Sequence, residues 1–197
     1  MRFSGCVCHV VAALLILSAP GLILAAEATW PDYFDLGPGL VQEFRGSYEF
    51  KYKRLEFVRT GAHSYTVRAS GDESPREDKI VLDGDYIYWI LGRSGERWLK
   101  LRTRLLRGAA WPHAVREWNQ RYRVVKTDLT VSVPAGQFEH CAEVTISWAA
   151  HEPDMEGVQE VVLYLAPHLG IIKREQWSNG TKEHEEELTS YRAVAGR

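Results

Sequence analysis

Glu183-His184-Glu185-Glu186-Glu187 sets four carboxylates and an imidazole in a row, residue types that could hold a divalent cation. In extended backbone, successive side chains point to opposite faces, which splits the run in two. The surrounding sequence also offers these charges another use. With a turn centred on Asn179-Gly180, Arg174 falls opposite Glu185, Lys173 opposite Glu186, Glu175 opposite His184 and Ile171 opposite Leu188. Cross-strand pairing thus accounts for the cluster, and no metal is expected. His140 and Cys141 are a second adjacent pair of ligand types. They sit where Phe138, His140, Ala142, Val144, Ile146 and Trp148 share one face and Glu139, Cys141, Glu143, Thr145 and Ser147 share the other. The two cannot converge on one ion, and His140 is expected to be structural, on the apolar side. The sequence has no G-x-S-x-G, H-E-x-x-H, P-loop or paired C-x-x-C, so the chain is expected to be non-enzymatic and to carry no cofactor.

The remaining candidates for recognition are cations and large aromatics. Between Arg97 and Lys126 lie nine basic residues (Arg97, Lys100, Arg102, Arg104, Arg107, Arg116, Arg121, Arg123, Lys126) and one acidic residue, Glu117. From Glu139 to Glu187 the balance reverses, with eleven acidic residues against three basic. Such asymmetry either orients a protein toward an anionic surface or partner, or is consumed by pairing within the folded sheet. Aromatics crowd the stretch from Tyr86 to Leu101. One face carries Ile87, Trp89 and Trp98, and the other Tyr86, Tyr88, Ile90, Leu99 and Leu101. A sheet covered on one side needs one such face, which leaves the second for a pocket, an interface or a packed helix. The expected ligand is apolar or amphiphilic and lipid-like. Trp89, Trp98, Trp111 and Trp118 would contact it, with Arg102, Arg104 and Arg107 near an anionic head group. The alternative is an interaction module that engages an envelope protein partner through an exposed sheet edge or aromatic patch.

The elements that must position these residues are mostly strands. Trp30 to Leu40 is rich in turn formers and reads as an irregular lead-in. From Ser47, Tyr48, Phe50 and Tyr52 alternate with Glu49, Lys51 and Lys53, as in a half-buried strand. Gly71 to Lys79 is charged and reads as an exposed loop. Asp83-Gly84 supplies a two-residue turn, and a hairpin centred on Arg93-Ser94 pairs Trp89 with Trp98, Tyr88 with Leu99, Tyr86 with Leu101 and Asp85 with Arg102. Trp111, Val115, Trp118 and Tyr122 recur at helical steps, and Pro112 suits a first turn. A short helix is expected from about Pro112 to about Asn119, covering the core or serving as a ligand lid. Leu129, Val131 and Val133 then lead into a turn at Pro134-Ala135-Gly136. Eight or nine antiparallel strands and one helix give a mainly β fold: a single curved antiparallel sheet or open half-barrel with one short helix packed across it.

The N-terminus reads as an export signal: Arg2, an apolar run from Val10 to Ala26, then small residues at Ala26 and Ala28. Cleavage is expected after Ala28, or after Ala26. An uncleaved anchor is the alternative, although Pro20 and Gly21 interrupt the run. Residues 1–28 are thus a signal peptide and 29–197 a single antiparallel β domain, periplasmic or secreted, with no stable transmembrane insertion. Cys6 and Cys8 leave with the signal, and Cys141 alone cannot form an internal disulfide. Composition is that of an ordinary folded protein, 45% hydrophobic and 25% charged. A balance of 24 basic against 26 acidic residues argues against a nucleic-acid partner.

Two linked stretches carry a family resemblance. Thr130-Val131-Ser132-Val133-Pro134-Ala135-Gly136-Gln137-Phe138 precedes Tyr164-Leu165-Ala166-Pro167-His168-Leu169-Gly170-Ile171-Ile172-Lys173. Together they resemble exported bacterial proteins of unknown function in which a V-P-A-G-x-F hairpin is followed by a Y-x-A-P-x-x-G-x-x-K turn. The match spans roughly residues 124 to 191 and departs from the pattern at His168, where a more flexible residue is usual. Leu82-Asp83-Gly84-Asp85-Tyr86-Ile87-Tyr88-Trp89 is similar, more loosely, to the strand pair of periplasmic lipoprotein carriers. That similarity implies an open half-barrel around a hydrophobic cavity with a helical lid.

Overall fold

The computed structural model describes residues 33–37, 39–47, 51–72, 74–115, 118–149 and 159–193, so the expected signal segment 1–28 lies outside the described residues. Twelve strands form one antiparallel sheet: β1 Leu40–Gly46, β2 Lys53–Gly61, β3 Ser64–Gly71, β4 Arg76–Asp83, β5 Tyr86–Ile90, β6 Arg97–Arg102, β7 Ala110–Val115, β8 Trp118–Val133, β9 Gly136–Ala149, β10 Gln159–Ala166, β11 Gly170–Ser178 and β12 Thr181–Ala193. Their order is β6-β5-β4-β3-β2-β1-β12-β11-β10-β9-β8-β7. Strands consecutive in the chain, β6 and β7, are thus the two edges of the sheet. At about 4.8 Å per strand a flat sheet of this size would be roughly 50 Å wide. The 103–109 link reaches at most about 29 Å. The sheet therefore has to curl, and it rolls nearly into a barrel.

The edges meet through side chains instead of a ladder. On β7, Trp111 Nε1 donates to the Lys100 carbonyl at 2.8 Å and His113 Nε2 donates to the Arg97 carbonyl at 2.6 Å. From β6, the Lys100 N–H donates to the Tyr122 hydroxyl at 3.3 Å, and that hydroxyl donates to Gln120 at 2.7 Å. Trp111 stacks on Tyr122 with centroids 5.4 Å apart. Backbone groups that would make β6 a free edge are occupied in this seam.

The seam stands where a helix is expected. Residues 112–115 belong to β7 and 118–119 to β8, 116–117 lie outside the described residues, and no helix occurs among the described residues. The spacing fits both structures. Trp111 pairs with Tyr122 and Val115 with Trp118, so residues that form a helical stripe are also symmetric about the β7–β8 connection. Long-range pairing selected the hairpin.

Several registers depart from expectation by one residue, and in the β5–β6 and β11–β12 hairpins a bulge is the cause. Near its turn the β5–β6 hairpin pairs Ile90 with Arg97 as centred, but Trp98 is then skipped. Trp89 consequently faces Leu99, Ile87 faces Leu101 and Tyr86 faces Arg102. A bulge also follows Asn179-Gly180: Ser178 pairs with Thr181 and Trp177 with Lys182, after which Arg174 meets Glu186 and Lys173 meets Glu187. The β4–β5 turn is centred on Gly84-Asp85, one residue later than expected, because Asp83 pairs with Tyr86. Lys51 and Tyr52 lie in no strand, which overturns that part of the alternation expected from Ser47, and 48–50 lie outside the described residues. Arg76 to Lys79 is strand, not loop. His140 is exposed instead of apolar-facing. It adopts φ 55° opposite Asp128 at φ 60°, where the β8–β9 register breaks, and its Nδ1 lies 2.6 Å from the Asp128 carboxylate. His168 takes φ 61° in the β10–β11 turn, a left-handed conformation uncommon for a residue with a side chain.

The interior is filled by alternate residues of nearly every strand. Leu40 and Phe44 of β1, Leu55 and Phe57 of β2, Tyr65 and Val67 of β3, Ile87 and Trp89 of β5, and Leu163 and Leu165 of β10 are all buried there. Many outward residues are charged, as with Arg68 and Glu77, Lys79, Arg121 and Arg123. No helix among the described residues is long and apolar enough to cross a membrane.

Candidate functional site

A barrel of about eight strands is just filled by its own side chains, and a wider one leaves room. Here the interior holds a cavity of about 530 Å³. Its apolar wall comes from Phe44, Leu55, Phe57, Trp89, Leu163 and Leu169, with Phe34 and Leu36 of the lead-in beneath. The lead-in crosses one end of the barrel as a strap. Phe34 and Leu36 are buried, the Tyr65 hydroxyl donates to the Leu36 carbonyl at 2.9 Å, and the Tyr33 hydroxyl donates to the His140 carbonyl at 2.9 Å. Gln42, fully buried, donates to the Leu169 carbonyl at 3.0 Å and ties β1 to the β10–β11 turn at that end.

Polar groups gather toward the other end. Lys53 begins β2, Arg76 begins β4, Ser74 lies in the β3–β4 turn, and Arg93 and Ser94 lie in the β5–β6 turn. Antiparallel alternation places all of these at the barrel end opposite the strap. Arg174 and Glu186, cross-strand partners in β11 and β12, complete the charged lining. Four cations thus stand against two carboxylates, Asp78 and Glu186.

Asp78 organises this wall. It is fully buried and accepts from Arg76 Nε at 3.1 Å, from Trp89 Nε1 at 3.1 Å and from the Gly92 backbone N–H at 3.0 Å. The last contact requires glycine: a Cβ on residue 92 would fall 1.6 Å from the Glu77 carbonyl oxygen. Gly92 lets the β5–β6 turn close onto β4, carrying Arg93 and Ser94 with it. The neighbouring bulge has a matching effect. Leu99 and Leu101 already face inward, so strict alternation would turn Trp98 out, and the extra residue lets it line the cavity as well. Trp98 meets Trp89 edge to face, centroids 6.1 Å apart.

Of the residues singled out from sequence, Trp89 and Trp98 line the cavity. Trp111 is buried in the β6–β7 seam, and the side chain of Trp118 lies outside the described residues. Arg102, Arg104 and Arg107 are exposed and contribute nothing to the cavity wall. Arg102 lies 5.8 Å from the ring centroids of both Tyr86 and Trp111. Arg97 sits 4.3 Å over Tyr88 and Lys100 4.1 Å over Tyr86, so these cations cover the outer aromatic face of the meander. Lys53, Arg76, Asp78, Arg93 and Arg174 were not anticipated. One signal was available: Asp78, Ile80 and Leu82 continue a period of two across the supposed loop boundary.

No family model matches the sequence, and no curated protein does. Solved structures do match in shape. One is a candidate lipoprotein of Parabacteroides distasonis, 12% identical, TM-score 0.52, with the match covering 82% of this chain and 99% of that one. Another is a candidate exported protein with a YmcC-like fold from Bacteroides fragilis, 10% identical, TM-score 0.53, covering 80% and 97%. The likeness shows the fold. It agrees with a mainly β, nearly closed antiparallel sheet, and the two stretches quoted for the family resemblance form the β8–β9 hairpin and the β10–β11 turn within it.

Proposed function

We propose that this protein is an exported, non-enzymatic envelope protein that holds an apolar or amphiphilic ligand inside its barrel. The observation that carries the proposal is the cavity of about 530 Å³, apolar toward the strap and charged toward the opposite end. That size lies within the range of about 300–1,000 Å³ usual for small-molecule sites. Phe34, Phe44, Phe57 and Trp89 would shield a hydrocarbon from water, and burial alone would supply the driving force. Export is supported by the Arg2 to Ala28 segment and by the exported or lipoprotein character ascribed to the structurally similar proteins.

The competing reading, an interaction module that adds a partner strand to a sheet edge, has less support. The Arg97 and Lys100 backbone groups that such a partner would need are bonded to His113, Trp111 and Tyr122. Native mass spectrometry of the protein from its own envelope fraction, followed by titration with fatty acids and envelope lipids, tests the carrier reading. Saturable binding is expected. At a hundredfold excess over Kd the ligand should add about 2.7 kcal/mol of stability. Absence of both saturation and thermal shift for every lipid tried would overturn it.

A further inference from the structure

The cavity's charged end contains hydrogen-bond donors without acceptors. Buried donors in folded proteins are almost always paired. Two that line this cavity, Arg174 Nε and Trp98 Nε1, are buried and meet no hydrogen-bond partner among the described residues. Four other charged groups of the lining, Lys53, Arg76, Asp78 and Glu186, are paired. Asp78 takes Arg76, Trp89 and Gly92, while Glu186 is ion-paired with Lys53. Arg93, in the β5–β6 turn, forms no ion pair among the described residues. Glu186 Oε1, cross-strand from Arg174, also meets no hydrogen-bond partner among the described residues although its carboxylate is ion-paired with Lys53, so the case rests on charge. With pairs matched, the lining keeps two guanidinium groups in excess beside an indole N–H, and its apolar wall runs on toward the strap. A neutral or cationic head group would leave Arg174 uncompensated in a partly dry site.

Resting on the carrier reading above, we infer that the ligand is a small amphiphile with an oxyanion head group, a carboxylate or phosphate. The head-group oxygens accept from Arg174, with Trp98 Nε1 and Arg93 as further donors, and the chain lies along Phe44, Phe57 and Trp89 toward Phe34 and Leu36. Recognition is thereby assigned to arginines inside the barrel, not to the exposed Arg102, Arg104 and Arg107 outside it.

The test uses probes of one chain length, below their micellar concentrations: decanoate, decyl phosphate and 1-decanol, with acetate and inorganic phosphate as head groups alone. The purified protein should bind decanoate or decyl phosphate about tenfold or more tightly than 1-decanol, the worth of one charge-assisted hydrogen bond. Arg174→Met should erase that preference, bringing decanoate and decyl phosphate to the affinity of 1-decanol for the same variant. Trp98→Phe, which removes the indole N–H together with the five-membered ring but keeps an aromatic face toward Trp89, should reduce the preference for decanoate over 1-decanol, and it decides the matter if Arg174→Met fails to fold. Equal affinity for decanoate, decyl phosphate and 1-decanol would overturn the head-group inference and leave the carrier reading standing. Failure of all three would overturn the carrier reading itself. Tight inorganic phosphate with no gain from the decyl chain would show a free-anion site and refute the amphiphile. Selectivity that survives both substitutions would refute the assignment to Arg174 and Trp98.

Discussion

Replacing Asp78 by Ala should destabilise the protein through the cavity wall it holds together. The carboxylate is fully buried and receives three hydrogen bonds. Not all of them count equally. Arg76 keeps 28% of its side chain exposed, so water can replace its partner. Trp89 is buried, at 8% exposure, and its indole N–H would be left without an acceptor, at a cost of about 1–3 kcal/mol. Losing the bond to the Gly92 N–H adds about 0.5–1.5 kcal/mol. A total near 3 kcal/mol corresponds to a Tm lower by roughly 6–12 °C for a chain of this size. Urea unfolding and thermal melts of Asp78→Ala measure it, and a cycle with Trp89→Phe isolates the central contact. In the Trp89→Phe background no indole N–H remains to be orphaned, so Asp78→Ala should cost about 1–3 kcal/mol less there. The reasoning is refuted if Asp78→Ala shifts stability by under about 1 kcal/mol, or if its cost is the same in both backgrounds.

Trp111→Phe removes the donor that bonds the Lys100 carbonyl across the seam and part of a buried, stacked ring, and should cost at least about 1 kcal/mol, with faster amide exchange in β6 than in β3. His168→Gly relieves a left-handed conformation on an exposed residue, and equilibrium unfolding should show it stabilised by a few tenths of a kcal/mol up to about 1 kcal/mol. Hydrogen bonds from Lys182 and Lys173 hold the Glu185 carboxyl at about 2 against the upward pull of burial. Its contribution is complete above the ordinary value of 4.5 and is lost as pH falls from there through about 2, so Glu185→Gln should flatten the acid limb of the stability–pH curve. Arg102→Ala, Arg104→Ala and Arg107→Ala together should leave the affinity for decanoate within about twofold of wild type, since all three lie outside the cavity wall.

Turns and alternation are short-range properties, and they were legible in the sequence. Asn179-Gly180 adopts positive φ at both positions, 49° and 75°, because those residues tolerate it where most others do not. Pro134-Ala135 connects β8 to β9 where expected, and Ala142, Val144 and Ile146 face the core as their spacing requires. Mainly β architecture with antiparallel connections followed from such local signals. The tertiary structure alone decided whatever depends on comparing distant segments. A bulge moves every later pair by one residue, and whether Trp98 or Glu183 is skipped is set by what the rest of the barrel can accommodate. Trp111, Val115, Trp118 and Tyr122 satisfy a helix and a hairpin equally, and the open edge of β6 chose between them. The cavity's charged end draws on β2, β4, β6, β11 and β12 and on the turns between strands. Charge at Lys53, Arg76, Asp78 and Arg174 looks like ordinary surface until the sheet rolls and turns those positions inward. Local chemistry specified the strands and turns, and closure of the sheet specified which side chains share a hollow.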